Sequence, residues 1–195
     1  MTNANLRELG LHYENFGWCV AELPVLASLR SVRDELEQHL GRLLGNSGAR
    51  LENYHQCIGQ HDHGELQMAM AKYFWSNELC YKLARAEIEL LEGFIGADLH
   101  VQQRAYLRIA RPGIREDNLG FHRDTFYGQS PYEVAIHVPL VDLDSDSCMK
   151  FLSGSHLFSE SRFTVISEGA ADWGKGSSKH ELGFPYAPKK ISSGI

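Results

Sequence analysis

The chain reads as an α+β protein, with helices in its first half and a β-sandwich or barrel in its second. Three observations carry this. Apolar residues recur every three or four positions from Pro24 to Leu43, and again from Ser76 to Gly93. After Ala97 the apolar period drops to two. The stretches "GNSG" (45–48) and "RPG" (111–113) punctuate the periodic runs.

Taken in order, "GWCVAEL" (Gly17–Leu23) is expected to be a short strand leading into a helix. Val25, Leu29, Val32, Leu36, Leu40 and Leu43 then mark one face of an amphipathic helix. Pro24 is tolerated in its first turn, and the glycines from Gly45 end it. The run "LQMAMAKYFW" is expected to be helical. A further long helix is expected over Ser76–Gly93, with Ser76 as N-cap and Leu79, Leu83, Leu90 and Leu91 in the buried set. Val101, Gln103, Ala105, Leu107 and Ile109 alternate with His100, Gln102, Arg104, Tyr106 and Arg108, which predicts a strand. Further strands are expected over Tyr132–Val141 and Met149–Leu152, and the last twenty residues as loop with one more strand at most. The 195 residues are expected to form one domain, helical over about 1–97 and sheet-like over about 98–195.

Composition excludes several classes. At 43% apolar and 23% charged, the chain has the make-up of a soluble globular protein. A net charge of -6 with scattered Lys and Arg argues against a nucleic-acid partner. Cys19, Cys57, Cys80 and Cys148 contain no C-x-x-C pair, so a zinc ribbon or disulfide scaffold is not expected, and free thiols fit a reducing compartment. No basic-then-apolar leader opens the chain and no apolar run reaches membrane-spanning length, so a cytoplasmic location without membrane partners is expected.

Metal-binding chemistry concentrates in "LGFHRDTFYGQSPYEVAIHVPLVDLD" (Leu119–Asp144). Side chains two residues apart leave an extended backbone on one side. His122 and Asp124 can therefore converge on one ion, with Arg123 pointing away. Non-haem Fe(II) sites use two histidines and one carboxylate on one octahedral face. The surroundings add specificity: a strand ending in "RPG", a loop, "FHRD", the strand "EVAIHVPLVDL", the acidic turn "DSDS", the short strand "MKFL" and the turn "SGSH".

In that order of pieces the chain resembles the phytanoyl-CoA dioxygenase-like family of Fe(II)- and 2-oxoglutarate-dependent oxygenases. The matching parts are His122/Asp124, Ala135–Leu143, Asp144–Ser147 and Ser153–His156, with the opening "YENFGWCVAELPVLASLRSVRDELE". The resemblance implies a double-stranded β-helix (a cupin-like jelly roll) buttressed by N-terminal helices. It implies Fe(II) and 2-oxoglutarate as cofactors, with O2 and a small molecule as substrates. Hydroxylation of an unactivated C–H bond is the implied reaction. Related halogenases lack the carboxylate, so Asp124 favours hydroxylation over halogenation.

The family's second histidine and its 2-oxoglutarate anchor lie beyond the G-S-H turn. His180, in "SSKHELGF", is the sole histidine there, and its setting does not look like the expected strand. The third ligand therefore stays unassigned, and the jelly roll is expected to lack its closing strands, as if the native chain continued past Ile195. Tyr106 and Thr125 loosely match places where the family contacts 2-oxoglutarate; Arg104 and Gln102 share the face of Tyr106 and are equal alternatives. Ser153 replaces the family's proline, which should alter turn rigidity more than chemistry.

Other histidines have plainer readings. His61-Asp62-His63-Gly64-Glu65 holds H-x-H and H-x-E spacings but lies ahead of a helix, and reads as a solvated loop or helix start before it reads as a lid. His137 reads as a hydrogen-bonded strand residue and His156 as a turn-fixing one. "HRD" also occurs in the protein-kinase catalytic loop, but Gln129 stands where that loop needs Asn, and no Gly-rich loop or D-F-G is present. Two other functions fit the pattern: a catalytically silent jelly-roll binding domain, and a cupin-like metal enzyme that does not use 2-oxoglutarate.

Overall fold

Apolar spacing becomes helix throughout the first half. The computed structural model describes residues 3–114, 117, 122–123, 132–165 and 186–188. Its helices are α1 (Asn3–Phe16), α2 (Leu26–Leu44), α3 (Tyr54–Cys57), α4 (His63–Ser76), α5 (Leu79–Ala86) and α6 (Ile88–Ile95). Two 3-10 turns follow at Ser155–Leu157 and Glu160–Arg162. By contact the chain falls into two units: 1–107 with 139–157, and 108–138 with 158–195.

In the first unit α2 buries Val32, Leu36 and Leu40, its i, i+4, i+8 row. With Leu66, Met70 and Phe74 of α4 and Leu79 of α5 they make up most of the core. Gly45 closes α2 in the left-handed region at φ 60°, where glycine has no Cβ to strain. At the other end the Val25 N–H donates to Oε1 of Glu87 at 2.9 Å. Glu87 is buried between α5 and α6, so a carboxylate 62 residues away satisfies an N-terminal donor of α2. Helix α1 lies against α6. Tyr13 meets Phe94 edge-on at 5.6 Å. A Cβ on Gly93 would come 2.6 Å from Leu6 Cδ1, so glycine permits this approach.

The single helix expected over Ser76–Gly93 is corrected. Ser76 ends α4 instead of capping a new helix, and the segment is two short helices separated at Glu87. The break before α5 is set by Glu78 at φ 53°. The break after it accompanies the burial of Glu87, whose side chain is committed to α2.

The jelly roll is also corrected. Among the described residues the one sheet is a two-stranded antiparallel ladder, β1 (Phe163–Val165) with β2 (Tyr186–Pro188), pairing Phe163 with Pro188, Thr164 with Ala187 and Val165 with Tyr186. Gly17–Leu23, the described residues of 100–109, Tyr132–Val141 and Met149–Leu152 contain no strand. The physical reason is specific. Over 104–107 the alternation survives as burial, with Arg104 and Tyr106 exposed and Ala105 and Leu107 half-buried. The Ala105 carbonyl, however, accepts from the Trp75 indole at 2.8 Å, so a helix side chain takes a ladder acceptor. Over 132–141 even the alternation is lost: Ala135, Ile136 and His137 are all exposed.

Candidate functional site

The segment that leads to His122 is built on a turn and a buried ion pair in the second unit. Pro112-Gly113 turns the chain, with Gly113 at φ 73° and the Ile114 N–H reaching the Arg111 carbonyl at 3.3 Å. Asp117 is 1% exposed and accepts three hydrogen bonds from Arg111: backbone N–H at 2.9 Å, Nε at 2.7 Å and Nη2 at 2.9 Å. A carboxylate removed from water in this way needs such a fork to offset its desolvation.

His122 is half-buried, as is Arg123 beside it. The Arg123 guanidinium donates through Nη2 to the Phe158 carbonyl at 2.8 Å, across 35 residues of sequence. Asp124, Thr125 and His180 lie outside the described residues. Among the described residues no three His, Cys, Asp or Glu side chains gather as a metal cluster would. Tyr106 is 62% exposed. Arg104 lies over the Trp75 ring with Cζ 5.8 Å from its centroid, and Gln102 is exposed. In donor type, an imidazole at 122 and a carboxylate at 124 are residue kinds that facial Fe(II) sites use.

The remaining histidines are placed individually. Asp62 caps α4, its Oδ1 accepting from the Glu65 N–H at 2.9 Å; the H-x-H segment is a helix start with His61 exposed. His63 turns inward, 7% exposed, and its Nδ1 shares a 2.9 Å hydrogen bond with the buried Tyr54 hydroxyl. That pair was not legible from sequence, where His63 looked solvated; the signal available was its position one turn before Gln67, also buried, on α4. His137 is not in a strand and has an exposed surface, yet the protein around it lowers its pKa, through desolvation first and the Arg108 charge second.

The "SGSH" turn docks onto the end of α1. Trp18 Nε1 donates to Ser153 Oγ at 2.9 Å, the Gly154 N–H to the Phe16 carbonyl at 2.9 Å, and His156 Nε2 to the Glu14 carbonyl at 2.9 Å. Trp18 stacks on Phe151 with centroids 5.8 Å apart. His156 also lies against Gly17, where a Cβ would sit 2.5 Å from its Nδ1. In the acidic turn, Asp144 Oδ1 accepts from the Asp146 N–H and from the N–H and hydroxyl of Ser147. The Ser147 hydroxyl is the leading cause of the lowered Asp144 pKa. The four cysteines are free thiols, and burial raises the pKa of Cys80 and Cys19. No helix among the described residues is long and apolar enough to cross a membrane. No protein-family model, curated protein or solved structure matches the chain.

Proposed function

We propose that the chain is an Fe(II)- and 2-oxoglutarate-dependent dioxygenase that hydroxylates an unactivated C–H bond of a small molecule. The observation that carries this reading is His122-Arg123-Asp124 itself, in its order with the acidic turn and the "SGSH" turn. The chemistry demands no particular sheet; it demands three donors on one face of the ion. His122 ligates as neutral imidazole and Asp124 as carboxylate. Tyr106 and Thr125 are the proposed polar contacts to 2-oxoglutarate. With both cofactors bound, the iron and 2-oxoglutarate supply the oxidising chemistry with O2, and the chain's part is to orient the C–H bond and exclude water.

The test is an anaerobic Fe(II) titration with and without 2-oxoglutarate, watching for the visible charge-transfer band of the chelate. A band in the wild type that disappears in Asp124→Ala and persists in His61→Ala is the expected outcome. Metal binding that 2-oxoglutarate does not perturb would point to a metal enzyme that does not use 2-oxoglutarate. No metal binding by the folded chain would point to a binding domain, and retention of iron by Asp124→Ala would displace the site from 124.

A further inference from the structure

Where the "SGSH" turn meets the end of α1, two segments far apart in the chain bring apolar side chains together. The Trp18–Phe151 stack, the bond from the Gly154 N–H to the Phe16 carbonyl and the bond from His156 to the Glu14 carbonyl hold 16–20 alongside 151–157. Little of what they gather is covered. Val20 is 76% and Leu157 72% exposed, and Phe16, Phe151 and Leu152 are exposed as well, with Trp18 half-buried among them. At those exposures the patch presents on the order of 500 Å2, the size of the largest and often functional apolar patch on a monomer.

We propose that this patch is the interface of a symmetric dimer of the chain; the inference does not depend on the dioxygenase reading. Area and charge both name a second copy as the occupant. An interface of standard size takes about 800 Å2 from each partner, of which about 60% is apolar, so the patch matches one partner's apolar share. Its aromatic content is that of an interface core. Around it, Glu14 and Glu22 flank the 16–20 segment and Lys150 precedes Phe151; all three are exposed, and none is in an ion pair among the described residues. A two-fold axis running between the segments lays each one on the other segment of the second copy. Carboxylates then face an ammonium on both sides of the axis, and the surface is complementary to itself. A lipid surface fits less well, because anionic headgroups repel the rim carboxylates and the net charge of -6.

Sedimentation velocity over a concentration series tests this on the whole chain, with the melting midpoint of each variant recorded alongside. Wild type should be dimeric at about 100 μM, well above the μM dissociation constants at the weak end for interfaces of this size. Val20→Asp and Leu157→Asp alter side chains that the fold leaves exposed. Each should raise the dissociation constant at least about tenfold, since an unpaired carboxylate then enters the contact. Met68→Asp, at an exposed apolar position on α4, should leave it unchanged. At low salt Lys150→Glu should weaken the dimer, and adding Glu14→Lys and Glu22→Lys should restore it, because reversed signs still match across the axis. A wild-type chain that stays monomeric at that concentration, or a dimer that Val20→Asp and Leu157→Asp leave intact, overturns the proposal. Failure of the reversed set to recover the dimer overturns the two-fold arrangement. A monomer that binds phosphatidylcholine vesicles, and releases them in the same two variants, overturns the dimer and assigns the patch to lipid. Should either Asp variant fail to fold, Ser at the same position decides by the same criteria.

Discussion

Gly17 and His156 show how closely single atoms determine the docking of the "SGSH" turn. Gly17 is at φ 78°, where any L side chain is strained, and its missing Cβ leaves room for the His156 ring. Gly17→Ala therefore incurs about 1–2 kcal/mol from backbone conformation, and a further steric penalty from the ring. Denaturant unfolding should show His156→Ala removing the steric part and leaving the conformational part, so that the double variant is less destabilised than the sum of the singles. Additivity would mean that the two residues do not meet. The same residues explain a gap in what the sequence disclosed. Ser153–His156 could be read as a turn, but its partners Glu14, Phe16 and Trp18 lie far upstream, and no local pattern encodes a contact of that separation. His63 is a parallel case. Its polarity and its H-x-H setting suggested solvent, whereas it is buried with its Nδ1 on a tyrosine hydroxyl. Arg123 is another: the triplet was visible, its anchor was not.

Helix α2 was legible nearly to the residue, because both its apolar period and its terminating glycine act locally. The strands were not, because a period of two requires only an extended segment, while a strand requires a partner; the Ala105 carbonyl shows such a segment bonded to a helix side chain instead. The break at Glu87 was hidden for the opposite reason: the partner of its side chain lies at the start of α2, not in its own neighbourhood. The contact of α2 with α4 also carries a pH dependence. His39 stacks on Tyr73 at 4.0 Å, with Arg42 over the same ring. Desolvation and then the Arg42 charge lower the pKa of His39, against a smaller opposing hydrogen bond to Ala69. The unfolded chain thus binds this proton more readily than the folded one. The stabilisation from neutral His39 is present above the unfolded value of about 6.5 and is lost as pH falls through it toward the folded value. His39→Phe keeps the stack and removes the titration, so its melting midpoint should fall less than that of wild type between pH 7 and pH 5. Since His137 shifts in the same direction, the variant should flatten the profile only in part; an unaltered profile would remove His39 from the account.

For the molecule as a whole, the two units differ in how much of their chemistry the sequence revealed. The helical unit holds the core, whose rows could be anticipated. In the unit containing His122, the fork from Arg111 to Asp117 and the bond from Arg123 to the Phe158 carbonyl could not be anticipated, since no spacing pattern names either partner. The bond from Val25 to Glu87 bears on how the helical unit comes together in time. Helix α2 can form its internal hydrogen bonds as soon as its own residues are available, but the Val25 N–H that precedes it gains its partner only when the α5–α6 junction closes over it. The N-terminal end of α2 is then a late-forming region, and unfolding should loosen it early. Glu87→Ala is expected to speed amide hydrogen exchange in the first turn of α2 while leaving the turns around Leu36 and Leu40 protected, and to accelerate unfolding more than it slows folding. A nascent chain emerging residue by residue would carry α2 with a frayed beginning until Glu87 had been made.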